Sequence, residues 1–294
     1  MRLLIRSSLA AVLALAPALA FAAPALDGSA QGVACNATNP TATLTTTQTN
    51  DVIIAIAGNE NAPLMTLAPS MVVSGGGLSW NKNWALNNNG THAPNDLLSN
   101  VYRSLWYATA PTALTGQTIT ATLSGSTDAS GLVVFGISGA NTSTIFDPAG
   151  LCETTGTGGS IAPVISGVYS NNAAVFEVVG AITPNLDSVS AAPAGFTDIQ
   201  YVQQSGCSSK YYYERVSYQV YAAPISNATY TWTGSWGLGG HSVSETPICG
   251  LIGSCAGGVR STCPSVAGGG SGGGGSVLFQ TPISYQGERM KVRH

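Results

Sequence analysis

From about residue 41 to residue 252 the chain repeats one rhythm, in which short apolar-polar runs are broken by Gly, Pro and Asn. QTITATLS, Gln117 to Ser124, shows it most plainly. Ile119, Ala121 and Leu123 fall on one face, and Thr118, Thr120 and Thr122 on the other. A period of two residues predicts a strand with one face buried. NDVIIAIAG, VYRSLWYATA, GLVVFGISG, AAVFEVVGAI, GFTDIQYVQ, KYYYERVSYQVY, NATYTWTGS and HSVSETPICG read the same way, as strands bounded by turn residues. No segment of this region keeps a helical period over a dozen residues. Short strands without crossover helices predict an all-β fold, an antiparallel, jelly-roll-like β-sandwich.

The same phrases recur in order. Leu44–Ile54 lines up with Ile165–Val175, placing Asn50 over Asn171. Gly77-Leu78-Ser79 lines up with Gly195-Phe196-Thr197. SLWYATAP, ending at Pro111, lines up with YQVYAAP, ending at Pro224, and QTITATLSG resembles ATYTWTGS. The expectation is a duplicated unit, with halves at about 30–150 and 151–252, facing each other in one domain.

The flanks differ in composition. Arg2 and Arg6 precede an apolar run, Leu9 to Phe21, that is too short for a membrane span, and Ala20-Phe21-Ala22 has the small-x-small form of a cleavage site. Residues 1–22 therefore read as a bacterial-type secretory signal peptide, which implies a secreted or cell-surface protein without a membrane span. The sandwich domain extends over 23–265. Residues 266–276 are a Gly/Ser linker reaching about 20 Å as a flexible coil. Residues 277–294, with Arg289, Lys291, Arg293 and His294, read as a disordered tail.

Charge excludes one class of partner. Only 8% of residues are charged, and 23–265 holds five basic residues against twelve acids. Nucleic acid binding requires a basic stripe that this region lacks. An oxidising compartment gives the six cysteines meaning as a disulfide framework. The pairings expected are Cys255 with Cys263, Cys152 with Cys207 and Cys35 with Cys249.

Candidate chemistry is sparse. His92, His241 and His294 are the only histidines, and no G-x-S-x-G nucleophile elbow accompanies them. Asp51, Asp128, Asp147, Asp187 and Asp198 sit at predicted strand ends or turns, where Asp closes Asx-turns. Glu177 and Glu214 fall inside predicted strands. There each can be a catalytic acid, face solvent, or pair with an arginine such as Arg215 or Arg103. These features predict no enzyme, and a secreted hydrolase is the distant alternative. No cofactor is expected beyond a structural calcium ion, for which the acidic turns at Asp128 and Asp147 are the weak candidates.

Aromatic residues offer a second function. Sugar rings stack on aromatic faces while amides and charged groups fix their hydroxyls. LSWNKNWALNNNG reads as a loop carrying Trp80, Trp84, Asn87, Asn88 and Asn89, and is the preferred glycan site. KYYYERVSYQVY divides by period into an inner face (Tyr212, Glu214, Val216, Tyr218, Val220) and an outer one. The outer face adds Tyr211, Tyr213 and Arg215 as ligand candidates. Tyr218 is expected buried and Tyr211 exposed, and of Trp106 and Tyr107 at least one belongs to the core.

The phrases ATLTTTQTNDVIIAI, LWYATAPTALTGQTITATLSGSTDASGLVVFGISGANTSTIFDP, APAGFTDI and VSYQVYAAPISNATYTW together resemble a family of bacterial secreted and phage-associated proteins of no assigned activity. The resemblance covers about residues 25–252 and rests on strand-and-turn phrases. It implies a fold and export rather than a catalytic site. KYYYERVSYQVY, where the family has small residues, and the extra cysteines depart from it. The resulting expectation is a non-catalytic exported module with a structural or adhesive role on a cell surface, appendage or phage particle. Its partners would be glycans, other surface proteins or further copies of itself. A lectin-like module is the alternative.

Overall fold

A computed structural model describes residues 23–36, 38–61, 70–87, 100–146, 152–157, 164–167, 175–184, 188–189, 191–207, 210–221, 228–231, 234–235 and 240–250, some of the shorter pieces by their backbone alone. The regular elements among them are strands, and every strand pairing is antiparallel. The first half supplies β1 (Ala25–Cys35), β2 (Thr41–Leu44), β3 (Asp51–Asn61), β4 (Met71–Gly75), β5 (Asn81–Asn87), β6 (Asn100–Ala110), β7 (Gln117–Leu123) and β8 (Ala129–Ser138). The second supplies β9 (Cys152–Thr157), β10 (Val164–Gly167), β11 (Val175–Pro184), β12 (Ser188–Val189), β13 (Thr197–Cys207), β14 (Lys210–Tyr221), β15 (Ala228–Thr231), β16 (Gly234–Ser235) and β17 (Gly240–Cys249).

Two five-stranded sheets dominate. The first has the order β1-β8-β3-β6-β5 and the second β13-β14-β11-β17-β9. Matched in chain order, with β15 and β16 together standing opposite β7, these two orders are the same. The smaller elements are a three-stranded sheet, β2-β7-β4, and two ribbons, β10-β15 and β12-β16.

Side-chain patterning explains the stacking. In β3 every residue from Asp51 to Glu60 is buried, and β8 is buried from Ala129 to Ile137. Strands apolar on both faces belong in the middle of a stack, whereas alternating strands belong outside it. The first five-stranded sheet is accordingly the middle layer. One face, through Ile54, Leu105, Val133 and Phe135, meets Phe176, Val202, Tyr212 and Val216 of the second sheet. Its other face, through Ile53, Ala55, Trp106 and Val134, meets Leu44, Met71 and Ile119 of β2-β7-β4. In β7, Ile119 and Ala121 point inward while Thr118 and Thr122 are exposed, as their alternation predicted. The two five-stranded sheets face each other as expected, but the stack has three layers rather than two. The ribbons lie along the second sheet, β12 beside β11 and β14, and β10 beside β17 and β9.

One disulfide staples the two large sheets at a shared edge. Cys35, closing β1, bonds Cys207, closing β13, with Cα atoms 5.3 Å apart. Ser29 and Gln200 continue this seam, the Gln200 amide donating to the Ser29 hydroxyl at 2.8 Å. The expected pairs Cys152–Cys207 and Cys35–Cys249 are thereby overturned, because the sheet packing brings the ends of β1 and β13 together. Cys249 is also disulfide-bonded, and the expected pair Cys255–Cys263 lies outside the described residues.

Candidate functional site

The chemically richest place in the described structure is the interior between the two large sheets. Arg103 sits mid-strand in β6 and is fully buried, as is Glu214 in β14. The Arg103 Nε–H donates to Glu214 Oε1 at 3.2 Å. Its Nη1–H donates to the Gly180 carbonyl of β11 at 3.1 Å. The Tyr212 hydroxyl, two residues before Glu214 and on the same strand face, donates to Glu214 Oε2 at 2.8 Å.

Two glycines make this arrangement possible. A Cβ on Gly180 would overlap the Arg103 guanidinium, and one on Gly131 of β8 would overlap the Tyr212 ring. Burial pushes the Glu214 carboxyl above its ordinary range, while Arg103 and the Tyr212 hydroxyl work against that rise. Burial beside Glu214 pushes the Tyr212 phenol well above its ordinary value. The chain thus holds a charged, hydrogen-bonded cluster where both sheets must be in register. Of the alternatives open to Glu214, pairing with Arg103 is the one realised.

A second buried polar group lies at the other end of the first sheet. Asp27 of β1 and Asp51, which opens β3, are both buried. The Asp27 carboxylate accepts hydrogen bonds from the Thr47 N–H at 2.9 Å, the Thr47 hydroxyl at 2.7 Å and the Gln48 N–H at 2.7 Å. Beside it, burial and the negative charge of Asp27 raise the Asp51 pKa to about 7. The sequence suggested a turn aspartate at Asp51, but it is an interior one. Asp27 carried no sequence signal beyond a lone acid in ALDGSA.

Of the expected ligand residues, Trp80, Tyr213 and Arg215 have described side chains, and each is at least half-buried against the protein itself. Trp80 is half-buried, packs against the core beneath β2-β7-β4 and donates its indole N–H to the Gly75 carbonyl at 3.0 Å. Its neighbours do not form an end loop, since Asn81–Asn87 is an edge strand paired with β6 across a bulge at Lys82/Trp84. The side chains of Trp84 and Asn87, and all of Asn88 and Asn89, lie outside the described residues.

On β14, Tyr212, Glu214 and Val216 do face inward. Tyr218, expected buried, is half-buried and stacks on Phe176 with ring centroids 4.6 Å apart. Val220 emerges into solvent at 37% exposure. The opposite face is not an open surface, since Tyr213 and Ser217 are buried there. Arg215 is half-buried, lying 4.2 Å from the Tyr201 ring centroid and 3.7 Å from Asp198 Oδ1. The Tyr211 side chain lies outside the described residues. Trp106 is the core member of its pair, and Tyr107 meets Phe146 edge-on.

His92, His294 and Asp147 lie outside the described residues, and His241 is placed by its backbone alone. Asp128 sits in a turn, its N–H donating to the Glu60 carbonyl at 3.1 Å. Among the described residues no three His, Cys, Asp or Glu side chains come together as a metal-holding group. No helix among them is long and apolar enough to cross a membrane. No protein-family model, curated protein or solved structure matches the chain.

Proposed function

We propose that this chain is an exported, non-catalytic structural or adhesive module of a cell surface, appendage or phage particle. The observation that carries this reading is the locked interface between its halves. A fully buried ion pair, Arg103–Glu214, ties β6 to β14, and the Cys35–Cys207 disulfide ties β1 to β13. Groups that a site would present to a ligand instead fix one rigid register. The reading includes a duplicated jelly roll. Pairings β1·β8, β2·β7 and β3·β6 recur as β9·β17, β10·β15 and β11·β14, which is how the strands of a rolled-up hairpin pair. The recurrence of Asn50, Gly77 and Pro111 as Asn171, Gly195 and Pro224 supports it.

A rigid block with an almost uncharged, hydroxyl-rich surface suits packing into an extracellular assembly. Sedimentation and negative-stain microscopy of the exported protein test this, with ordered multimers or attachment to the producing envelope expected. A monodisperse monomer with no envelope or particle association would sink it. A glycan array run alongside separates the lectin alternative, which requires binding that Trp84→Ala abolishes.

A further inference from the structure

The carboxyl pair at the start of β1 and β3 has no part in the function proposed above, and its surroundings give it one. Asp27 and Asp51 sit on strands separated by β8. Their carboxyl groups are within hydrogen-bond reach of each other, and β8 between them carries Gly136, whose added Cβ would come within 2.7 Å of both the Asp27 carbonyl oxygen and the Thr46 methyl. Asp27 has its oxygens filled by N–H and O–H donors from Thr47 and Gln48. Asp51 is fully shielded, and apart from the Thr46 hydroxyl no N–H or hydroxyl donor among the described residues acts on its oxygens. A carboxylate in that position is strongly disfavoured, whereas a carboxylic acid can donate to a neighbouring carboxylate.

The donors on Asp27 belong to the 45–50 loop, which is anchored only lightly elsewhere. Thr46 exchanges two hydrogen bonds with Leu114, from its N–H at 2.9 Å and to its hydroxyl at 2.9 Å. The Gly116 N–H donates to the Thr45 hydroxyl at 3.0 Å.

We propose that Asp27 and Asp51 share a single proton, and that this acid-carboxylate bond is a clasp holding the 45–50 loop, which tightens in mildly acidic solution and slackens toward neutrality. In the closed clasp Asp51 carries the proton and donates it to Asp27, whose charge is compensated by the loop amides. Opening exposes Asp51 to water, where it ionises as an ordinary aspartate and releases its proton. Among the described residues, Asp27 is the titratable group acting on Asp51. The facing parts of β8, the end of β6, the 45–50 loop and the 111–116 turn contribute Gly136, Ser138, Ala110, Thr46 and Leu114, none of them charged. The Thr46 hydroxyl only tempers the effect.

The sign follows from proton counting. The closed form keeps a proton that the open form loses between the ordinary aspartate range and the value of about 7 that Asp51 has when buried. Opening therefore becomes easier by up to about tenfold per pH unit across that window and levels off above it.

Hydrogen exchange at the Thr47 and Gln48 amides of the full chain, corrected for intrinsic rates, reads the clasp directly. Protection should fall by roughly tenfold or more from pH 5 to 7 and stay level above. Asp51→Asn, whose amide donates to Asp27 at any pH, should hold protection constant. Flat protection in the wild type, or the same slope in Asp51→Asn, would overturn the proposal. A carboxyl carbon NMR titration of the unaltered protein covers the case in which the variant fails to fold. One aspartate titrating near neutrality supports the clasp, and all aspartates titrating in the ordinary acidic range refutes it.

Discussion

Replacing Arg103 with Met removes the cation from the interior while keeping most of the side-chain volume. Glu214 and the Gly180 carbonyl each lose a partner in a place water does not reach. Breaking a buried ion pair from one side costs about 3–5 kcal/mol. At about 2–4 °C per kcal/mol for a domain this size, Tm falls by roughly 6–20 °C. Glu214 can relieve part of that cost by taking up a proton, since burial already holds its carboxyl above the ordinary range. The loss should therefore be smaller at pH 5 than at pH 8. The companion variant, Arg103→Met with Glu214→Leu and Tyr212→Phe, leaves no orphaned polar side chain in the cluster. Its stability should return to within about 1–2 kcal/mol of the parent, as apolar replacement of whole buried pairs does elsewhere. Urea unfolding of the disulfide-intact protein measures both. A cost for Arg103→Met under about 1 kcal/mol, or a triple variant as unstable as the single one, would refute the view that these charges depend on each other.

Three further outcomes follow from the same structure. Gly131→Ala pushes a methyl group into the Tyr212 ring and should cost about 1–3 kcal/mol by denaturant unfolding, with no change in oligomeric state. Cys35→Ser with Cys207→Ser opens a cross-link between residues 172 apart, for which chain entropy predicts up to about 5 kcal/mol, read as a lowered urea midpoint. The raised Glu214 and Asp51 contribute stability that is fully present in acid and is lost as pH rises through their folded values, which for Asp51 is about 7. The lowered Asp27 contributes stability present above its ordinary range and lost in strong acid. A urea midpoint that peaks in mildly acidic solution is expected, and one that rises steadily from pH 5 to 8 would contradict it.

What could be read from the chain depended on whether the cause was local. Thr-Ile-Thr-Ala-Thr carries its own two-residue period, so β7 and its buried face were legible. The double-sided apolar runs of β3 and β8 marked strands, but not that a third layer covers them, because nothing local says what packs on a second face. The inner face of β14 was assigned correctly at Tyr212, Glu214 and Val216. The pairing of Glu214 with Arg103 spans 111 residues and could only be offered as one option. The disulfide failed for the same reason, since cysteine spacing says nothing of which strand ends meet. Asn81–Asn87 read as part of a loop because Trp and Asn between turn signals look alike whether they end a sandwich or line its edge, and β5 does the latter.

The strand order has a temporal consequence. β8 lies between β1 and β3, and β17 between β9 and β11, so in each sheet the last strand made occupies an interior slot. Until Ser138 has left the ribosome, β1 has no partner in its sheet, and the second sheet likewise waits for Cys249. Sheets that close on sequence-distant strands assemble in milliseconds to seconds rather than microseconds. A chain truncated before Ala129 should therefore not fold as a shortened version of the first half. It would lack the interior strand that joins β1 to β3, leaving the edges of both open to whatever strand arrives first.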